Sequence, residues 1–349
     1  MHYFCRKKGK DTKTINMKEN SDLQLSIIIP VYQVEKYVRP CLESVFNQGL
    51  DDEDFEVIIV NDGTKDRSME VIQDIIDQHK NITVINQENQ GLSMARNNGM
   101  AIAKGEYLLM PDSDDLLVEN SLKPLLKNAL ETKADLVVAD FLIMNDDEIN
   151  NRQLIYQQEF SMKEKTGEKL YMDDFKPNQS YVWRTLYKKN FITKNNLKFI
   201  PGIYFQDIPF THEAYLKAKK CIKTPWLLNI YRKRLASASN LSTFNLKKAH
   251  DFCIAIAKSW ELYKNMEGLL PETKKKQKYT VYVFYNNLLY RILFKLEKLS
   301  DKTDVLKYLH QLVPDIEFNY SIKQRMGNIL YQISPSLYVI IQKWMWSRH

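Results

Sequence analysis

Between Leu25 and Phe141, continuous apolar runs alternate with amphipathic stretches, and that rhythm leaves the chain few folds to choose from. The runs are LSIIIPV (25–31), FEVIIV (55–60), ITVI (82–85), YLLM (107–110) and DLVVADF (135–141). Between them apolar residues recur at helical spacing, as Val38, Leu42, Val45 and Phe46 do within 35–48, and Val71, Ile72, Ile75 and Ile76 within 68–79. Further helices are predicted over 92–103, closed by Gly105 as C-terminal punctuation, and over 121–132. Runs this apolar suit strands covered on both faces. Strands alternating with helices argue for an α/β fold, a mostly parallel sheet with helices on both faces. Such sheets bind ligands at the carboxyl ends of their strands.

Those strand ends carry the chemistry. The fourth run climbs to Pro111 and delivers Asp112, Asp114 and Asp115 within GEYLLMPDSDD (105–115). In an extended chain Asp112 and Asp114 would face one point and Asp115 would face away. Two like charges held together cost energy unless a cation lies between them. Mg²⁺ or Mn²⁺, which also carries substrate phosphates, is the candidate; an acidic turn before the helix near Ser121 is the competing reading. The first strand ends in Pro30-Val31-Tyr32, where the ring could lie on a base or belong to the core. The second ends in Asn61-Asp62-Gly63-Thr64, followed by Asp66. Asp62 could accept from an imide N–H such as uracil N3, though Asp-Gly is also a plain turn signal. GLSMARNNG (91–99) opens a helix whose Ser93 and Arg96 could meet nucleotide phosphates, or could be an ordinary exposed helix start.

Other features narrow the class. At 349 residues, 44% hydrophobic and 27% charged, the chain reads as a soluble globular protein of one large domain with an appendage, or of two domains. The net charge of +7 suits phosphate-bearing substrates, anionic headgroups or nucleic acid. Cys5, Cys41, Cys221 and Cys253 lie far apart and read as reduced, mostly buried thiols of a cytosolic protein. The histidines show no zinc spacing, and His212 is expected on the surface. There is no G-x-G-x-x-G after the first strand, no P-loop and no G-x-S-x-G elbow, which disfavours dinucleotide, P-loop and hydrolase chemistry. No secretory signal and no apolar stretch near the roughly 18–20 residues that span a bilayer are visible, so a soluble or peripheral protein is expected. Residues 1–22 read as a flexible basic tail. After Asn145 the rhythm breaks, and from Phe244 long helical patterns follow over 244–264, 272–299 and from about Ile322.

SIIIPVYQVEKYVRPCLESVFNQ, EVIIVNDGTKDRS and NQGLSMARNNGMAIAKGEYLLMPDSDD, in that order, resemble the family 2 glycosyltransferases of GT-A fold. The match is dense over about 25–141 and thins to islands as far as Arg234. It implies a flexible tail (1–22), a GT-A domain (23–240) with donor half 25–141 and acceptor half 142–240, and a helical C-terminal region (241–349). By the resemblance, Tyr32 and Asp62 look like the base-recognition pair beside Pro30, and Arg96 like a nucleotide contact. Asp112, next to Ser113, is similar to the ribose-side acid and Asp114 to the metal-holding one, with Asp115 adjacent on the metal or acceptor side. Asn61 and Thr64 stand where the family usually has Asp and Ser. PGIYFQDIPF (201–210) resembles the motif bearing the catalytic base, so Asp207 takes that role, with Gln206 replacing the common Glu. The competing reading of Asp207 is a helix N-cap. Trp183, in YVWRTLY, either borders the acceptor or packs on the sheet. Arg232 and Arg234, before Ser237, Ser239 and Ser242, resemble a loop closing over the diphosphate, or form a solvated basic loop.

The resemblance implies inverting transfer from a nucleotide-sugar donor, UDP-linked by expectation, with Mn²⁺ or Mg²⁺. The acceptor would be a glycan or lipid-linked glycan, as in capsule or lipopolysaccharide synthesis at the inner face of the cytoplasmic membrane, and no nucleic-acid partner is implied. A sugar nucleotidyltransferase, or a non-catalytic assembly subunit hinted at by Gln206, are the rival readings. The C-terminal stretch MGNILYQISPSLYVIIQKWMWSRH (326–349) places tryptophans beside Lys343 and Arg348. That pattern fits a segment in the headgroup layer of an anionic membrane or a pair of core helices.

Overall fold

The computed structural model describes residues 23–152, 161–177, 179–233, 243–316, 330–331 and 334–346. The expected tail (1–22), Arg234, Ser237, Ser239, Ser242 and Arg348 lie outside them. Strands β1 (Leu25–Val31), β2 (Phe55–Asn61), β3 (Ile82–Asn86) and β4 (Tyr107–Leu109) form the parallel half of a nine-stranded sheet. Alternate residues of β1 feed two cores, because successive side chains of a strand point to opposite faces. Leu25, Ile27, Ile29 and Val31 pack with α1 (Val38–Phe46) and α4 (Leu122–Thr132), whereas Ile28 joins Ala95 of α3 (Leu92–Ile102) and Phe210 of α8 (Asp207–Lys217). A short 3₁₀ turn (Glu70–Ile72) precedes α2 (Gln73–Gln78) where one helix over 68–79 was expected. Ser68 is occupied there: it accepts from the Val34 amide at 2.9 Å and donates to Asp66 at 2.5 Å.

Gly105 does not cap a helix. The C-cap of α3 is Ala103, and a Cβ on Gly105 would lie 2.3 Å from the Leu25 carbonyl carbon. The glycine is required because two backbones meet there. A Cβ on Gly99 would likewise meet Ile28 Cγ2 at 2.3 Å, so α3 lies directly on β1.

Beyond β4 the sheet is mixed. β5 (Leu116–Leu117), β7 (Lys163–Lys165) and β9 (Cys221–Arg232) join β6 (Leu136–Met144) and β8 (Thr185–Lys188), and β8 runs antiparallel between β4 and β6. β9 was not anticipated, because Pro225 and its interleaved polar residues demote a strand signal. Short helices α5 (Asp146–Asn150), α6 (Gly167–Asp174) and α7 (Lys189–Lys194) fill the connections.

The C-terminal helices α9 (Leu246–Asn265), α10 (Pro271–Lys295), α11 (Leu299–Leu312) and α12 (Pro335–Trp346) share a third core that also takes Ile208 of α8. The expected helix over 272–299 is α10, which stops at Lys295, and α11 after it was not anticipated, with no Gly or Pro between the two to mark the break. α12 lays Tyr338 and Val339 into this core and leaves Leu337, Ile340 and Trp344 exposed. Among the described residues no helix is long and apolar enough to cross a membrane.

Candidate active site

The strand ends of the parallel half meet at one edge of the sheet. Pro30 is buried in β1, and the Tyr32 ring just past it is 41% exposed. Asp62, 3% exposed, accepts from Gln87 Nε2 at 2.7 Å and from the Gln90 and Gly91 amides at 2.8 and 2.9 Å. An ionised carboxylate has about four acceptor positions, so three are met from within the chain, and Asp62 fixes the loop that opens α3. Asp66 ties the neighbouring loops, accepting from the Glu35 amide, from Thr64 Oγ1 and from Ser68. Burial would raise its carboxyl, but the Ser68 and Thr64 hydrogen bonds prevail and hold it below the usual range. Thr64 also accepts from the Gln33 amide at 2.8 Å, which accounts for a hydroxyl at that position.

The Asp112–Asp115 segment is a turn rather than an extended continuation of β4. The Asp115 amide donates to the Asp112 carbonyl at 3.1 Å, which brings Asp115 back so that carboxylate oxygens of Asp112, Asp114 and Asp115 lie within 4.8 Å of one another. The alternation that turned Asp115 away fails because the chain is not extended there. Ser113 is buried inside the turn. Asp115 is 1% exposed and accepts from the Arg232 amide at 2.8 Å. Arg96, on α3 and 2% exposed, donates Nη2 to Asp112 Oδ1 at 2.5 Å, and its guanidinium lies 5.4 Å from the Phe199 ring centroid. Cys41 points its thiol at the Asp112 carbonyl, and burial together with the Asp115, Asp114 and Asp112 charges pushes that thiol well above its ordinary value.

Arg232 closes this side as the last residue of β9, not as part of a loop. It is buried, donates Nε to the Asp114 carbonyl at 2.9 Å and forms an ion pair with Asp146. Asp146 carried no signal in the sequence.

Asp207 begins α8, and the N-cap position belongs to Gln206, which makes no side-chain capping bond. Gln206 is 5% exposed, and its side-chain oxygen has no hydrogen-bond partner among the described residues. Desolvation pushes the Asp207 carboxyl up to about 6, against the pull of Arg96 and the amides of its own helix start and with a further push from Asp112. One positive group, Arg96 of α3, and one negative group, Asp112 of the acidic turn, therefore act on Asp207. The loop before it is held by the C-terminal helices: the Tyr204 amide donates to Asp251 at 3.1 Å and Lys247 to the Gly202 carbonyl at 3.1 Å. Phe205 stacks on Phe252 at 4.6 Å.

Trp183 is buried, near-parallel to Tyr181 (centroids 4.7 Å, planes 16°) and Tyr231 (5.8 Å, 9°), with Phe141 edge-on at 4.9 Å. Arg184 beside it donates to the Ala139 carbonyl and to Asp140. His212 is not on the surface: it is fully buried among Tyr171, Phe175 and Phe284, and desolvation pushes it down to about 3. The helix spacing placed it on α8 correctly, but that face of α8 is covered by α6 and α10.

Residues 26–191 match the family Glycosyl transferase family 2. The chain is 30% identical to glycosyltransferase GlyG of Streptococcus pneumoniae serotype 4 over 241 residues, 67% of this chain and 78% of the relative. It is 33% identical to the uncharacterized glycosyltransferase EpsJ of Bacillus subtilis over 220 residues, 62% of this chain but only 63% of EpsJ. The structure of Staphylococcus aureus TarS 1–349 in complex with UDP-GlcNAc superimposes with a TM-score of 0.65 at 18% identity, covering 91% of this chain and 89% of TarS 1–349. At that identity the likeness establishes the GT-A fold.

Proposed function

The chain belongs to glycosyl transferase family 2, and we propose that it transfers a sugar, with inversion, from a UDP-linked donor to an acceptor hydroxyl in the synthesis of a cell-surface polysaccharide. The observation that carries this reading is Asp207, a half-buried carboxylate at the start of α8, pushed up to about 6 by desolvation and within electrostatic reach of Arg96 and Asp112. A general base works best with a pKa near the operating pH. In the proposed step the acceptor O–H gives its proton to Asp207 while its oxygen bonds to the anomeric carbon. The bond from that carbon to the diphosphate breaks on the opposite face, and the electron pair leaves with the nucleoside diphosphate.

On the donor side Tyr32 offers its exposed ring to the base beside Pro30, and Asp62 offers its remaining acceptor position to the base edge. Arg96, Asp112 and Ser113 would line the ribose and phosphates, with Arg232 near the leaving group; Arg234, outside the described residues, keeps only the role that the resemblance implies. The carboxylates of Asp112, Asp114 and Asp115 are an all-oxygen donor set that suits hard Mg²⁺ or Mn²⁺, and we assign the metal to Asp114. Such an ion, when bound, would neutralise charge on the diphosphate as a Lewis acid. We assign Asp115, Trp183 and Gln206 to the acceptor side, Trp183 as a buried support. The buried reduced thiols of Cys41, Cys221 and Cys253 suit a cytoplasmic setting. The outward stripe of α12 suits the inner membrane face, where a lipid-linked acceptor would be met.

Incubation with a panel of UDP-, GDP- and CDP-sugars and Mn²⁺ tests the reading. Nucleoside diphosphate release that depends on acceptor is expected. Pyrophosphate release would indicate nucleotidyl transfer instead, and UDP binding without turnover a non-catalytic subunit.

A further inference from the structure

Beside the acidic turn, next to Arg232, the fold gathers four aromatic rings. Trp183 is the buried base of the group. Tyr181 and Tyr231 lie near-parallel to it and to each other, with planes within 25° and centroids 6.1 Å apart, and both remain half-open to solvent. Phe141 meets Tyr181 and Trp183 edge-on at 5.3 and 4.9 Å and fixes their tilt. The rings come from three separate elements: Phe141 from β6, Tyr181 and Trp183 from the turn before β8, and Tyr231 from β9. Tyr231 directly precedes Arg232, whose amide donates to Asp115, so the group borders the acidic turn, and the Tyr181 hydroxyl, held up by burial, feels the charges of Tyr231 and Asp207 against that of Arg184.

We propose that Tyr181 and Tyr231, backed by Trp183, form an aromatic platform that takes the pyranose ring of the acceptor and presents its hydroxyl to Asp207. This rests on the glycosyl-transfer reading and adds the acceptor class. Near-parallel half-exposed rings offer a flat apolar surface with polar tips at its rim. The C–H face of a pyranose matches such a surface, and its equatorial hydroxyls can reach the rim. A polyol-phosphate chain fits poorly, because the neighbouring guanidinium groups already serve carboxylates, Arg184 with Asp140 and Arg232 with Asp146. Asp207 and Asp115 would also repel an acceptor phosphate. Trp183, being buried, acts by holding the tyrosines and does not touch sugar.

Saturation-transfer NMR on the full chain tests this, using cellobiose, lactose and chitobiose as probes and poly(glycerol phosphate) as the contrast, each with UDP present. Calorimetry of UDP alone runs in parallel. Transfer to ring C–H protons of at least one disaccharide is expected, and none to poly(glycerol phosphate). Tyr181→Ala and Tyr231→Ala should each weaken disaccharide binding about tenfold, near 1.4 kcal/mol, whereas Tyr181→Phe and Tyr231→Phe should retain it and UDP affinity stays within about twofold of the parent. A parent protein that binds UDP but no disaccharide overturns the platform and leaves glycosyl transfer standing; this arm needs no variant to fold. Disaccharide binding unchanged in both alanine variants, or preference for poly(glycerol phosphate), also overturns it. Failure of the parent to bind any nucleotide diphosphate sinks the glycosyl-transfer reading itself.

Discussion

Arg96 and Asp112 form a buried-to-exposed ion pair at 2.5 Å, the guanidinium side chain 2% exposed and the carboxylate 29%. The pair joins the start of α3 to the acidic turn, and both partners act on Asp207 with opposite signs: Arg96 lowers its pKa and Asp112 raises it. Arg96 therefore keeps the base from drifting too far up.

Replacing Arg96 with Met removes the lowering charge, so the Asp207 pKa should rise above about 6 and the acidic limb of the pH–rate profile should move to higher pH. The position of that limb is the readout, since the amplitude will also fall through lost donor contacts. A limb that stays put or moves down would show that Arg96 does not act on the base.

Asp207→Asn should lower kcat roughly 10²–10⁴-fold with UDP affinity nearly unchanged. The parent's turnover should rise with pH through about 6, as the carboxyl loses its proton. Stability runs the other way. A carboxyl whose folded-state pKa is raised contributes stability below its unfolded pKa of 3.8 and loses it as pH rises through about 6. The neutral amide should thus melt higher than the parent at pH 8, with the gap closing toward pH 4. Equal melting temperatures across that range would contradict a desolvated Asp207.

Asp114→Asn should abolish the Mn²⁺ dependence of UDP binding, because it removes a charged oxygen from the all-carboxylate donor set. Titrating UDP with and without Mn²⁺ decides it: a metal effect of parental size in the variant removes Asp114 from the metal site.

Asp62→Ala should weaken UDP binding by about 1–3 kcal/mol, the cost of removing the buried acceptor that would pair with the base, and it also unties Gln87, Gln90 and Gly91. Amide hydrogen exchange should speed up at Gln90 and Gly91 in the same variant. Faster exchange with unchanged UDP affinity would restrict Asp62 to holding the loop.

How much of this could be read in the sequence depends on where each residue's environment comes from. β1 and β2 were legible because both their faces are covered, so burial writes itself into the chain as unbroken apolar runs. The acidic cluster was legible as composition, but its shape was not, since the turn returning Asp115 depends on the β9 amide that receives it. Arg232 was misplaced onto a loop because Pro225 hides the strand. The aromatic platform was half visible: Tyr181 and Trp183 are two apart, but Phe141 and Tyr231 join them only through sheet pairing. His212 was lost because nothing in α8 alone records that α6 and α10 cover it.

α12 serves both of its readings at once, the core on one side and solvent on the other. Tyr338 is 5% and Val339 2% exposed, packed with the C-terminal core, while Leu337, Ile340 and Trp344 are 43%, 53% and 54% exposed. Leu337, Ile340, Ile341 and Trp344 follow one helical stripe, and the helix contains no acidic residue. Lys343 lies close enough to Lys302 to lower its pKa further, so cations flank the stripe. An apolar stripe with tryptophan and lysine at its border matches the interface of an anionic bilayer. Truncating the helix would open the core and confuse the test, so the outward residues alone should be changed. Ile340→Glu with Trp344→Glu should leave the melting temperature within a few degrees of the parent and abolish flotation with phosphatidylglycerol liposomes. Parent protein that does not float, or a double variant that floats equally well, would mean that the stripe meets something other than a membrane.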